Sequence, residues 1–460
     1  MTEKNEDDMS SDLQSPSENS TFDVGSSTFD VQPEWVASPL RRDPGVELPD
    51  WYQKIQADSW HNFLETPEPG RTDENWRFAD LKKIRFERIN PVGSLNEQGT
   101  FVERFRTNRV DSAIGHCLFA NGHLIESDFS KLPDGVIACE INEALANHGD
   151  LVKEHFMQDP ARLGSQKFAA LHGASTLCGV FIHVPKNVEI DGMIEVHHVN
   201  SGENTGVFPH TLIVAEANAK VSVFENFETA SDDDSPITIG MVDLDARYGG
   251  KIQYASFQNN GANARHMQIN ASRIGRDSQV KNCFVNLGSA WVRNEAVSRM
   301  MDTGADSQMY SANLANGTEE YDQRTLQLHE AEHTTSDLLY KNALYDTART
   351  IFSGLIQVGE GAHHTDSYQT CRNMVGSDTA EANAMPGLEI DADQVKCSHG
   401  STSGPISEEE IFYLMARGIP AERARRMISL GFLNEVIYRL EGDNLKEFIA
   451  EKVEAKFRAI

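Results

Sequence analysis

A thiol and an imidazole stand two residues apart in the run Val395-Lys396-Cys397-Ser398-His399-Gly400. In an extended backbone both side chains leave one face, because a strand repeats every two residues. A soft sulfur beside a nitrogen suits thiophilic metals or sulfur chemistry. On spacing alone, a buried thiol next to a hydrogen-bonded imidazole is the commoner meaning of such a pair. Two side chains are also only half of a closed zinc site, which takes four ligands. If metal binds here, the other ligands come from elsewhere in the fold or from a partner chain.

Three further histidine clusters compete for attention. His329-Glu330-Ala331-Glu332-His333 matches the His-Glu-x-x-His pattern of zinc proteases. That pattern works only on a helix, and Thr325-Leu326-Gln327-Leu328 before it and Thr334-Thr335-Ser336 after it read as strand and loop. His363-His364 precedes Asp366. Adjacent histidines on a strand point to opposite faces, so only His364 and Asp366 would share one. His197-His198 has the same weakness. The chain has no Gly-x-x-x-x-Gly-Lys-Ser/Thr loop, no Gly-rich dinucleotide fingerprint and no Gly-x-Ser-x-Gly elbow. ATP chemistry, if used, belongs to a partner.

The elements that must position these residues follow from length and pattern. The chain has 460 residues, enough for two or three structural units. Its net charge of -29 argues against non-specific nucleic-acid binding and against anionic membrane surfaces. Apolar residues make up 39 % and form no membrane-spanning stretch. The N-terminus is acidic and Ser-rich, unlike a signal or transit peptide, which points to the cytoplasm. The six cysteines are scattered without a Cys-x-x-Cys pair, so neither a disulfide framework nor a zinc finger is expected.

Residues 1–45 read as a disordered acidic tail. Residues 46–167 read as a helical and mixed region. A helix opens at Pro49-Asp50-Trp51 and puts Trp51, Ile55, Phe63 and Leu64 near one face. Trp76, Phe78, Leu81 and Ile84 form a second apolar pattern, with core packing expected for the aromatics. Asn121-Gly122 marks a hairpin turn, and a helical interval runs from Ile141 to about Phe156.

Residues 168–395 read as short strands separated by Gly, Asn and Asp turns. Segments beginning near Ala219, Gly250, Ser278 and Ser307 share a loose plan about 30 residues apart, a period expected of stacked repeats. A sandwich and a β-helix both fit short strands, and the quasi-period favours the solenoid. Solenoid ends need covering, and the helical segments at both ends could cap them. Residues 396–460 read as a helical region for partner docking. Ser407 with Glu410 is a capping box, Gly418 ends the first helix, Pro420 starts a second and Gly431 stops it. Asn444 with Glu447 repeats the cap before an amphipathic helix striped by Leu445, Phe448, Ile449, Val453 and Phe457.

Several of these segments resemble the SufB/SufD family of iron–sulfur cluster assembly proteins. They are Thr335-Ser336-Asp337-Leu338-Leu339-Tyr340-Lys341-Asn342, Phe352 to Val358, Pro386-Gly387-Leu388-Glu389-Ile390, Val395 to Gly400, and Phe412-Tyr413-Leu414 with Arg417-Gly418-Ile419. The likeness covers about residues 48 to 457. Glu74-Asn75-Trp76-Arg77-Phe78 and Asp80-Leu81 resemble the SufD branch, and the clustered N-terminal cysteines of many SufB sequences are missing. The chain departs from the family at Phe78-Ala79, where Tyr-Thr is commoner, and at Ser401 to Gly404, where Ala-Thr-Val-Gly is commoner.

The resemblance implies a mainly β protein, a right-handed parallel β-helix flanked by N-terminal and C-terminal helical regions. It implies a non-enzymatic scaffold that pairs with SufB and binds the ATPase SufC through its C-terminal region, where Phe412, Tyr413, Arg417 and Gly418 are the docking candidates. Cysteine desulfurase and sulfur-transfer proteins would act indirectly. His399, with Cys397 second, becomes the candidate iron or cluster ligand, facing a SufB cysteine across the interface. The cargo would be a transient iron–sulfur cluster or iron. Reduced flavin is allowed in the complex, and no ATP is expected on this chain. The rival readings are a SufB-type primary scaffold and a polysaccharide-active β-helix enzyme, for which Asp243 and Asp245 are the carboxylate pair.

Overall fold

The computed structural model describes residues 36, 38–40, 45–84, 89–90, 98–111 and 113–460. The tail expected over residues 1–45 lies almost wholly outside them. Of that stretch, Val36 is buried in the cluster that holds Phe63 and Trp76.

The centre of the chain is a parallel β-solenoid of about eight turns. Two sheets form its walls. In the first, the strands beginning at Lys220, Lys251, Gln279, Asp306, Thr335, Asp366 and Lys396 pair in unbroken register. Their starts are 27 to 31 residues apart, and the first four fall within one residue of the repeat starts expected from sequence. The second wall runs from Cys178–Val184 to Glu381–Ile390. Turn chemistry sets the period. Entry to the first sheet passes through left-handed residues, among them Asn218, Asp277, His333, His364 and Gln394, with φ between 53° and 59°. Asn, Asp and His tolerate that conformation better than β-branched residues do.

Alternation along each strand sends every second side chain into the interior. The early coils fill it with apolar groups such as Val196, Val223 and Tyr254. The later coils carry an asparagine ladder. Asn286 donates to Asn313 at 2.6 Å, Asn313 to Asn342 at 2.8 Å, Asn342 to Asn373 at 2.7 Å and Asn373 to the Ser403 hydroxyl at 3.0 Å. Each amide satisfies its neighbour one coil on, as buried polar groups must.

The ends differ from the expected helical caps. At the first end the strands turn antiparallel. Ala113–Ala120 and His123–Asp128 form a hairpin over Asn121 (φ 46°) and Gly122 (φ 75°), and Phe129, Leu132 and Val136 close the interior. At the last end, Glu381–Ile390 and Lys396–Pro405 are the terminal strands of the two sheets and are largely exposed. The C-terminal helices do not cover them. Helices Ala421–Ile437 and Asp443–Ala459 lie instead across the outer face of the first sheet, where Leu433, Val436, Leu445, Ile449 and Val453 join Phe224, Phe257, Val285 and Tyr310 in one cluster. Burying each such side chain is worth roughly 1.5–3 kcal/mol.

Two helix limits also differ from expectation. Gly431 lies inside the helix Ala421–Ile437. Its cost of about 1 kcal/mol relative to alanine is outweighed by the apolar face around it. The last helix is preceded by Gly442 at φ 92°, with no side-chain cap from Asn444.

The N-terminal region packs on the outer face of the second sheet. Trp76 is buried and stacks on Trp291 at 6.4 Å. Three arginines on successive strands bind the main chain beside it. Arg293 donates to the Asn75 carbonyl at 3.1 Å, Arg324 to that of Arg77 at 3.0 Å and Arg349 to that of Phe78 at 3.1 Å. Phe78, expected in the core, is 41 % exposed and left-handed at φ 68°. No helix among the described residues is long and apolar enough to cross a membrane.

Candidate functional site

Cys397 and His399 lie on Lys396–Pro405, the last strand of the first sheet, so they belong to the solenoid and the helices begin only at Glu408. Cys397 pairs with Ser367 and His399 with Gln369. Ser367 and Gln369 are buried and face the interior, so the pair above them faces the same way. Cys397 is half-buried beside Ile356 and Val358 from the opposite wall and Ala362 from the turn after them. His399 is exposed, because no further coil lies above it.

Burial pushes the Cys397 thiol up, and the nearby Asp366 carboxylate pushes the same way. The sulfur is therefore held as a thiol, a weak ligand and nucleophile until an incoming cation displaces its proton. Beneath it runs a hydroxyl stack. Ser367 Oγ is 2.6 Å from Ser336 Oγ, which is 2.9 Å from His329 Nε2 and accepts from Gln327 at 2.7 Å. Under His399, Gln369 donates to the Gly354 carbonyl at 3.2 Å, while its own buried Oε1 has no partner. Sequence reasoning missed Ser336, Ser367 and Gln369. The available signal was the repeat itself, since Ser336, Ser367 and Cys397 are one coil apart.

The other sequence candidates separate. His329 ends a strand and is buried, and burial lowers its pKa to about 4. His333 is in a left-handed turn, so His329 and His333 do not share a helix and the zinc-protease reading fails. Asp243 accepts from His210 at 3.1 Å and from the Met157 amide at 2.7 Å. Asp245 lies 2.8 Å from His155 and 3.2 Å from Arg273. Both carboxylates are buried under the N-terminal region, not free in a groove, which removes the pair a glycan-cleaving enzyme needs. Among the described residues no group of three or more His, Cys, Asp or Glu side chains is arranged to hold a metal.

Two residues after the site strand, helix Glu408–Met415 begins. Ser407 Oγ accepts from the Glu410 amide at 3.3 Å, and Glu408, Glu409 and Glu410 fill the first turn, where the helix dipole favours acids. Ile411 is its inward anchor. Phe412 is 72 % and Tyr413 57 % exposed, with the Arg417 guanidinium 3.4 Å over the Tyr413 ring. Gly418 turns the chain at φ 84°. The appendage is fastened to the solenoid by ion pairs between Lys341 and Glu435, Arg439 and Asp337 (2.8 Å), and Lys456 and Glu319 (2.8 Å).

The structure is thus a parallel two-sheet solenoid with one bare end, a thiol–imidazole strand at that end and a helix with exposed aromatics beside it. Residues 197–432 match the model of the SUF system FeS cluster assembly SufBD core domain, and residues 50–196 match the SufBD protein N-terminal region. The chain is similar to the iron-sulfur cluster assembly protein SufD of Bacillus subtilis, with 27 % identity over 89 % of this chain and 95 % of that one. It is also similar to the chloroplastic iron-sulfur cluster assembly SufBD family protein ABCI8 of Arabidopsis thaliana, with 27 % identity over 89 % of this chain and 78 % of the relative. The chain belongs to the SufBD family of iron–sulfur cluster assembly proteins.

Proposed function

We propose that the chain is a SufD-like, non-catalytic scaffold subunit whose bare last coil pairs with SufB, and that iron and sulfur become a nascent cluster at that junction. The observation that carries this reading is the pair of uncovered edge strands, with His399 presented at the mouth they surround. Unpaired edges are templates for another strand, and Leu388 and Ile390 add exposed apolar surface to one of them. His399 is the iron or cluster ligand from this side. Cys397 is the second ligand, available once metal displaces its proton. SufB supplies the remaining ligands.

SufC docks on the Phe412, Tyr413 and Arg417 face. Only Ile406 and Ser407 separate that helix from the site strand, so movement of docked SufC on ATP hydrolysis reaches His399 through a short, direct link. Two surface clefts, one between Lys220 and Glu441 and one between Ser403 and Arg425, lack an aromatic side chain for a flavin ring to stack on. Flavin fits neither of these two clefts.

Co-expression with SufB and SufC tests the reading. Joint elution of the three chains, with SufB lost and SufC kept on Leu388→Lys plus Ile390→Lys, supports it. Retention of SufB by that double variant contradicts the edge pairing.

A further inference from the structure

Two histidine clusters that look unrelated in sequence meet at one corner of the solenoid. His333 closes the His-Glu-Ala-Glu-His run, and His364 is the second member of His363-His364. The turns place them one above the other in consecutive coils. Their rings stack with centroids 4.6 Å apart and planes 17° apart. The His333 amide donates to the His363 carbonyl at 2.9 Å, which locks the two rungs together. Both residues are left-handed and exposed.

We infer that His333 and His364 form a bidentate site for one borderline divalent cation of the Zn²⁺ or Fe²⁺ class. Paired neutral imidazoles suit these metals. Coil spacing supplies the geometry. Metal–nitrogen bonds of about 2.0–2.1 Å need two nitrogens roughly 3.3 Å apart. Rings on adjacent rungs start 4.6 Å apart, and exposed side chains can rotate about χ1 and χ2 to converge. His363 holds its Nδ1 against the Asp393 carbonyl at 3.1 Å, and the ring stack joins only His333 and His364. Glu332 and Asp393 stand in the same corner loops and supply negative charge nearby. The remaining coordination positions belong to water or to an incoming ligand. The metal therefore exchanges, which suits transit more than structural retention. This corner is separate from His399, whose level in the ladder is that of Gln369, five residues past His364.

The site does not depend on the scaffold reading, and the test uses the full chain alone. Zn²⁺ is titrated calorimetrically, and Co²⁺ is followed by its visible spectrum, into parent, His333→Asn, His364→Asn and His399→Ala. Asparagine preserves the left-handed turn. Loss of a direct ligand is expected to weaken binding at least as much as the roughly 10–100-fold seen for outer-shell partners. The expected result is that weakening in each asparagine variant, none for this site in His399→Ala, and a Co²⁺ spectrum without thiolate charge transfer. Parent affinity in either asparagine variant, or a thiolate band from the same metal equivalent, overturns the assignment.

Discussion

His399 stands in register directly above Gln369 at the open end of the solenoid, over a buried amide oxygen that has no partner. The amide makes one hydrogen bond, to the Gly354 carbonyl at 3.2 Å, and leaves its acceptor unpartnered. Gln369→Leu removes one hydrogen bond and one unsatisfied acceptor, and these effects oppose each other. Stability is expected to change by less than about 1 kcal/mol. Cluster formation in the reconstituted complex is expected to fall several-fold. Urea unfolding and the cluster absorption band check the two halves. Parent-level cluster yield would remove Gln369 from the site.

The exposed aromatics of the docking helix make a second, separable prediction. Phe412→Ala with Tyr413→Ala truncates side chains that touch mainly solvent, so unfolding free energy should stay within about 0.5 kcal/mol. Buried aromatic anchors at an interface commonly cost 2 kcal/mol or more on truncation. SufC affinity is therefore expected to drop about 30-fold or more while SufB pairing persists. Calorimetric titration with each partner measures this.

Arg293 joins the two halves of the chain. It lies fully buried between Glu295 and Asp322, 3.8 Å over the Trp76 ring, with the Asn75 and Leu163 carbonyls as further acceptors. Arg293→Ala leaves Glu295 buried without its cation, while Asp322 keeps Arg324 at 2.6 Å, a defect worth about 3–5 kcal/mol. The urea midpoint should fall accordingly, and trypsin should cut at Arg77 as the segment loosens. A midpoint shift below about 1 kcal/mol would show that the network is dispensable.

Acid stability follows from three buried histidines. Burial lowers the pKa of His172 to about 3 and those of His266 and His329 to about 4. Their folded values lie below the unfolded value near 6.5. The unfolded chain therefore binds more protons as pH falls below about 6.5. The stability from keeping these rings neutral is complete above that pH and is lost progressively toward pH 4 and below. Each group contributes a slope of up to about 1.4 kcal/mol per pH unit. Urea midpoints between pH 7 and pH 4.5 should show the decline, and His329→Gln should flatten it. An unchanged slope in that variant would contradict the assignment.

The solenoid was legible because its corners are written in turn residues. Starts expected at Ala219, Gly250, Ser278 and Ser307 fall within one residue of Lys220, Lys251, Gln279 and Asp306. The capping box at Ser407 and the Leu445, Ile449, Val453 stripe were equally local and equally visible. Relations between coils were not. Coil lengths vary between 27 and 31 residues, so the repeat brings Ser367 near Cys397 and His333 near His364 without fixing which residues share a rung. The position of the C-terminal helices depends on which sheet face accepts them, which their own amphipathic pattern does not specify. Gly431 shows the same limit, since tertiary packing carries the helix through a residue that reads locally as a stop.

The most direct test is cluster formation by the chain reconstituted with SufB and SufC, comparing the parent with His399→Ala. His399 is exposed on an edge strand, so the variant should fold, melt and join both partners as the parent does. The expected result is an intact complex that forms little or no cluster when given iron, a sulfur donor and ATP. An intact complex that forms cluster as well as the parent would contradict the assignment of His399 as the ligand this subunit contributes.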